Sequence, residues 1–301
     1  MKFVTFSIAG QQPQPGVFME AGIFPLPFTD LLEVIRGGTK AIESILQLLR
    51  DAPVDSILSV QSVRMQAPLP KPVSMRDFYA FEAHVAAANA NRGRGIPPTW
   101  YEMPVFYFTN PGETFGPDDV IPYPSYTHEL DYELEIAAVI GKTGINIAPE
   151  DAPEYIFGFC IMNDWSARDE QRRESSVGLG PAKGKDFATS LGPWIVTLDE
   201  LDKYATGRPG IYDLEMTASI NGKARSSGCF ADIHYSFGEL IARASRDAHI
   251  FPGDVIGSGT VGTGCLLELT KGKGPWLQPG DVIELKIEGL GALRNIVGEP
   301  A

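Results

Sequence analysis

Asp131, Glu133 and Glu135 stand at strict two-residue spacing in the run His128-Glu-Leu-Asp-Tyr-Glu-Leu-Glu-Ile-Ala-Ala-Val-Ile-Gly-Lys142. Residues two apart on a strand point to one face, so the spacing places up to three carboxylates on one side. The following Ile136-Ala-Ala-Val-Ile140 has the composition of a buried strand, ended by Gly141. Like charges carried into a core repel one another, and desolvating them is expensive unless a positive charge compensates. A second apolar run, Phe157 to Met162, delivers Asn163 and Asp164. A carboxylate pair on one strand with a third carboxylate ending another is a way for oxygen ligands to hold a hard divalent cation.

The elements that must carry these residues read as mostly short strands. Turn-signalled apolar segments fall at 104–109, 132–140, 156–163, 193–198, 213–220, 255–259, 265–270 and 281–287. Apolar residues at helical spacing between Phe28 and Asp51, interrupted by Gly37-Gly38, predict two helices. A helix, or a helix with a loop, is expected over 74–91, further helices over 165–173 and 236–244, and strands over 1–22 and 60–69. Pro68, Pro70 and Pro72 make a stiff extended connector, so a boundary is placed near residue 70. Residues 1–70 then form a small N-terminal α/β domain and 71–301 the larger one. Strands that do not alternate regularly with helices favour a β-rich α+β fold, a mixed β-sandwich or roll, over a doubly wound sheet.

Composition narrows the function classes. A net charge of −13 offers no basic stripe for nucleic acid or for an anionic membrane surface. Met1 to Gly16 holds one lysine and too short an apolar run for a secretory signal. No stretch approaches the about 18 apolar residues of a membrane span, so a cytoplasmic protein is expected. Three widely spaced cysteines, Cys160, Cys229 and Cys265, show no paired spacing for zinc, and Cys160 and Cys265, inside apolar runs, read as buried free thiols. The glycines of 257–264 lack a lysine and helix for a phosphate loop, and are expected to admit substrate close to the backbone.

Several runs together resemble the fumarylacetoacetate hydrolase family: NDWSARD at 163–169, GKDF at 184–187, SGT at 258–260 and GCLLELT at 264–270, with the Glu-x-Glu of 133–135. The closing Ile287-Glu-Gly-Leu-Gly-Ala-Leu-Arg-Asn295 is similar to that family's last strand, and the resemblance covers about residues 72–298. It implies a catalytic domain of that family's sandwich-roll type and, by family habit, a homodimer. Glu133, Glu135 and Asp164 match its metal ligands, for Mg²⁺ or alternatively Mn²⁺ or Ca²⁺. Asp77 matches a fourth ligand of the branch that hydrolyses β-diketones, His84 its general base and Glu268 the acid that orients the base. Lys185, Arg168 and Gln171 match groups that grip substrate and stabilise an oxyanion. Tyr79, Tyr107 and Thr260 match further substrate contacts. A loop arginine for a substrate carboxylate is Arg92 or Arg94. Asp131 matches no ligand and is read as supporting.

The implied activity is divalent-metal-dependent hydrolysis of a carbon–carbon bond in a small β-diketo acid, such as fumarylpyruvate, another acylpyruvate or fumarylacetoacetate. A His–Glu pair would activate water, and the cation would stabilise the departing enolate. Decarboxylation of oxaloacetate, or isomerase or hydratase work on an oxo-acid, is the alternative within the family. A calcium-binding sandwich module without chemistry is the remote one, and it leaves His84, Glu268 and Lys185 without a role. The first 70 residues are shorter than the corresponding domain of the animal-type enzyme.

Overall fold

Two antiparallel strands, Leu134–Ile140 and Ile156–Asp164, are buried along almost their whole length, as their uninterrupted apolar sequences require. They belong to a computed structural model that describes residues 1–53 and 56–300. In chain order, the N-terminal part holds β1 (Lys2–Ser7), β2 (Gln14–Met19), β3 (Gly22–Pro25), α1 (Leu31–Asp51) and β4 (Arg64–Gln66). There follow β5 (Met75–Phe78), α2 (Glu82–Ala90), β6 (Phe106–Thr109), β7 (Thr114–Phe115), β8 (Val120–Tyr123) and β9 (Leu130–Asp131). The central pair is β10 (Leu134–Ile140) and β11 (Ile156–Asp164), then β12 (Ser166–Ala167), α3 (Arg168–Ser176) and β13 (Thr189–Val196). The chain closes with β14 (Glu215–Ile220), β15 (Lys223–Cys229), α4 (Phe237–Ala244), β16 (Val255–Gly257), α5 (Leu266–Leu269), β17 (Val282–Ile287) and β18 (Gly291–Pro300).

The large sheet runs β3-β2-β1-β13-β11-β10-β16-β5-β6, and a second sheet runs β15-β14-β17-β18-β8. Alternate residues of the central strands serve two cores. Ile136, Ala138, Phe159 and Ile161 face the second sheet, meeting Met216, Leu285 and Leu293. Ala137, Val139, Cys160 and Met162 face the other way, onto Leu31, Val34, Ile35 and Ile45 of α1. The architecture is therefore an open two-sheet sandwich with a helix on its outer face, the β-rich α+β class expected.

The α1 segment is two helices meeting at a kink at Gly38, whose φ of 53° and ψ of −139° make the break expected between them. Pairing crosses the connector near residue 70. Lys2 and Phe3 of β1 oppose Val196 and Ile195 of β13, so the N-terminal strands extend the large sheet.

Three expected elements differ. The helix over 74–91 begins as strand β5, because Met75 to Phe78 is paired by β16 on one side and β6 on the other. The strand over 60–69 survives as Arg64–Gln66 after a short 3₁₀ turn. The strand over 265–270 is instead the one-turn helix α5, whose leading amides are bonded by a carboxylate described below. Among the described residues no helix is long and apolar enough to cross a membrane.

Candidate active site

Four carboxylates converge where β10, β11, β5 and β16 lie side by side. Glu135 sits on β10 and Asp164 ends β11, two strands in direct register. Glu133 precedes β10 and is fixed when its own amide donates to Asn163 Oδ1 at 2.9 Å. Asp77 lies on β5 opposite Gly257 of β16. One oxygen from each of Asp77, Glu133, Glu135 and Asp164 falls within 4.8 Å of the others, and all four residues are buried.

The glycines expected to admit substrate make room for one of these carboxylates. A Cβ on Gly257 would meet Asp77 Oδ1 at 2.4 Å. Gly259, at φ +77°, donates its amide to the same oxygen at 3.1 Å. Gly257→Ala is therefore expected to displace Asp77 and weaken divalent-cation affinity at least about tenfold, the scale seen when a group supporting metal ligands is lost. Calorimetric titration with Mn²⁺ checks it, and an unchanged affinity would show that Asp77 is not held by this contact.

The electrostatics favour a cation in the cluster. Five buried carboxylates, the four above and Asp131, face two buried cations, Arg168 and Lys185. Burial, with Asp164 adding repulsion, pushes Asp77 well above the usual carboxylate range. Burial, with Asp77 and Glu133, does the same to Glu135, and burial also raises Asp164. Glu133 goes the other way: burial opposes its charge, but Lys185, Arg168 and His84 outweigh it and hold the carboxyl low. Glu135 Oε2 and Asp164 Oδ1 are buried without a hydrogen-bond partner. Orphaned anionic oxygens of this kind, all hard donors, fit a hard divalent ion.

A pH dependence follows. The folded-state values of Asp77, Glu135 and Asp164 lie above their ordinary 3.8, 4.5 and 3.8. Their contribution to stability is full below those ordinary values and is lost as pH rises through the raised ones. Glu133 contributes in the opposite sense, losing its share as pH falls below its ordinary 4.5. In chelator, the thermal midpoint is expected to fall as pH rises above the ordinary carboxylate range, and excess Mg²⁺ is expected to remove most of that fall. Scanning fluorimetry across pH, with and without the ion, checks it; parallel curves would count against a shared cation site.

Beside the cluster stands a histidine–carboxylate pair. His84, on α2 and 4% exposed, is hydrogen-bonded through Nδ1 to Glu268 Oε1. Glu268 Oε2 accepts from the Thr263 amide at 2.9 Å. The Tyr79 ring meets the imidazole edge-on at 5.2 Å between centroids.

Asp131 accepts the amides of Leu266 and Leu267 at 2.8 and 3.0 Å, and Arg168 Nε at 2.9 Å. It therefore both sets the turn that carries Glu268 and anchors Arg168. The Arg168 guanidinium also reaches Glu133 Oε1 at 2.8 Å and donates to Gln171 Oε1 at 3.1 Å. Lys185 Nζ bonds Glu133 Oε2 at 2.5 Å and also contacts Asp164. Thr260 donates to Glu135 Oε1 at 3.3 Å, and the Tyr107 hydroxyl donates to Asp164.

All of this opens onto a cavity of about 330 Å³. Of the twelve expected site residues, ten line it; Asp164 and Glu268 lie behind, against Lys185 and His84. Tyr107 and Thr260, expected on substrate, line the wall while hydrogen-bonded to the carboxylates, and Arg168 is turned mainly onto Asp131 and Glu133. Of the two loop arginines, Arg92 lines the mouth, whereas Arg94 Nε is tied to Asn89 Oδ1 at 2.9 Å. Ser175, Gly180 and Pro181 also line the cavity and were not anticipated. Ser175 stands in the last turn of α3, and Gly180 and Pro181 in the loop after it, where the sequence carries no chemical signature.

Comparison with known proteins places this geometry. Residues 74–298 match the family described as fumarylacetoacetate (FAA) hydrolase C-terminal. The chain is similar to oxaloacetate tautomerase YisK of Bacillus subtilis (strain 168), 32% identical over 282 residues, covering 89% of this chain and 86% of that protein. It is 31% identical over 242 residues to fumarylacetoacetase of Arabidopsis thaliana, covering 64% of this chain and 57% of that longer protein. The solved structure of a fumarylacetoacetate hydrolase from Exiguobacterium antarcticum superposes with a TM-score of 0.78 at 28% identity, covering 99% of both chains. With a matched region that spans both the carboxylate cluster and the His84–Glu268 pair, the chain belongs to the fumarylacetoacetate hydrolase family.

Proposed function

We propose that the protein is a divalent-metal-dependent hydrolase that cleaves a carbon–carbon bond in a small β-diketo acid of the acylpyruvate, fumarylpyruvate or fumarylacetoacetate type. The observation that carries the reading is that the His84–Glu268 pair, Lys185 and the four-carboxylate cluster meet in one cavity. Asp77, Glu133, Glu135 and Asp164 would hold Mg²⁺ or Mn²⁺. Bound there, such an ion supplies the positive charge that a 1,3-dicarbonyl's enolate needs.

The protein's own groups do the rest. Glu268 on Nδ1 fixes the imidazole so that Nε2 can take a proton from water, and it stabilises the imidazolium that results. The water oxygen adds to the acyl carbonyl carbon, and Lys185 and Gln171 offer donors to the alkoxide that forms. When the alkoxide collapses, the carbon–carbon bond breaks and its electron pair leaves on the methylene carbon. The His84 proton is then available to that carbon. Arg92 at the mouth suits a terminal carboxylate.

A second reading, tautomerisation of an oxo-acid, is favoured by the relative that covers 89% of this chain, itself named an oxaloacetate tautomerase. It uses the same carboxylates and moves a proton without breaking a carbon–carbon bond. Incubating the protein and Mg²⁺ with acylpyruvates, fumarylacetoacetate and oxaloacetate, with products followed by NMR, separates the two. Equimolar pyruvate and carboxylic acid from an acylpyruvate is the expected result. Faster enol–keto exchange of oxaloacetate with no cleavage of any diketo acid supports the second reading, and no metal-dependent turnover of any of them overturns both.

A further inference from the structure

The carboxylates of the cavity are all hard donors, yet a softer set stands immediately beside them. One donor atom from each of His84, Cys265 and Glu268 lies within 4.8 Å of the other two. Cys265 Sγ is 3.7 Å from Glu268 Oε1, the same oxygen that meets His84 Nδ1. Cys265 is fully buried and has no part in the hydrolytic scheme.

We propose that His84, Cys265 and Glu268 form a second metal site, selective for a thiophilic divalent cation such as Zn²⁺, whose occupancy switches the site off. Sulfur, imidazole and a single carboxylate are the donors that zinc selects, whereas an all-oxygen set suits Mg²⁺ or Mn²⁺. Zinc bonded tetrahedrally to sulfur and oxygen holds them roughly 3.5 Å apart, close to the cysteine–glutamate separation already present. His84 must swing away from Glu268 by about 1 Å to match the zinc–nitrogen and zinc–oxygen lengths. The Thr263 amide holds Glu268 by its other oxygen and leaves Oε1 to face the ion.

The charge also closes. A thiolate, a carboxylate and a neutral imidazole balance a divalent ion, and the ion displaces the thiol proton on binding. The Glu268 side chain is nearly buried, whereas His84 lines the cavity, so a cavity water would supply the fourth ligand from the side of His84. With Nδ1 committed to the ion, His84 loses its partner Glu268 and cannot carry a proton as imidazolium. Inhibition therefore rests on the hydrolytic reading, but the binding does not.

The test uses protein saturated with Mg²⁺, so that the carboxylate cluster is filled, in a Cys229→Ser background that removes the partly exposed thiol. Co²⁺ serves as the spectroscopic probe and Zn²⁺ as the inhibitor. A thiolate-to-cobalt charge-transfer band in the near ultraviolet is expected, and Cys265→Ser is expected to abolish it. The same change is expected to raise the Zn²⁺ concentration for half-inhibition by more than about 100-fold, above the range produced by losing an outer-shell partner, while Mg²⁺-dependent turnover persists. Cys265→Ala repeats the measurement should the serine variant fail to fold. No band in the parent protein overturns the site, as does unaltered Zn²⁺ inhibition in both variants. Because the band needs no turnover, a failed hydrolase assay leaves this result readable.

Discussion

Turnover of an acylpyruvate is expected to fall by about 10²–10⁴-fold when His84 becomes alanine, the range that a positioned general base contributes. The loss should appear in kcat, because the carboxylate cluster and Lys185 are untouched and bind the dicarbonyl as before. Glu268 keeps its Thr263 amide in the variant, so its carboxylate is not left wholly without a donor. Unfolding is therefore not the expected cause, and equal Mn²⁺ affinity in variant and parent would confirm that the site is intact. Glu268→Gln should cost less than His84→Ala, since the imidazole remains and only its tautomer and charge stabilisation suffer. The same variant discriminates the two readings. Loss of diketo-acid cleavage with oxaloacetate exchange preserved would assign His84 to the water alone, and unchanged cleavage would mean that the base lies elsewhere.

Much of this site was legible in the sequence because its parts are local. Glu133 and Glu135 announce a strand face by spacing, and the apolar run that follows announces its burial. Asp164 is placed by the neighbouring run, because two such strands pair directly. Parity alone would put Asp131 on that face too, but its reading as a supporting residue agrees with the contacts it makes. Regular strand structure lapses at Tyr132 and Glu133, between β9 and β10, and the Asp131 carboxylate faces Arg168 and the α5 amides rather than the cluster. The 265–270 run reads as a strand, but an acid 135 residues earlier bonds the amide of Leu266 and stabilises one helical turn. The role of Gly257 was equally out of reach, since a glycine in an apolar strand tells nothing of Asp77 on the neighbouring strand. Spacing reports faces of single elements; it is silent where two distant segments share one carboxylate.

Lys185→Met should give the largest change in stability, and that change should depend on divalent cation. Lys185 is 3% exposed and its ammonium bonds both Glu133 and Asp164. Removing one partner of a buried ion pair costs about 3–5 kcal/mol, because the other charge is left uncompensated. Burial works against the charge of Glu133 in either protein, and Lys185 is the largest of the cations that hold its carboxyl low. Without Lys185 that carboxyl must rise, so the chelated variant should be least stable at high pH, where the cluster's carboxylates are forced to ionise. Excess Mg²⁺ brings charge to the same oxygens and should raise the variant's thermal midpoint by more than the parent's. Turnover should nevertheless stay depressed by about 10²–10³-fold at saturating ion, the scale of one lost donor to an oxyanion. Lys185→Arg keeps the charge but sets a planar fork where a compact ammonium fits between two carboxylates, so it should rescue stability better than turnover. A variant that melts in chelator at the parent's temperature would show that the ammonium does not balance the cluster. One that recovers full turnover with Mg²⁺ would confine Lys185 to holding the carboxylates.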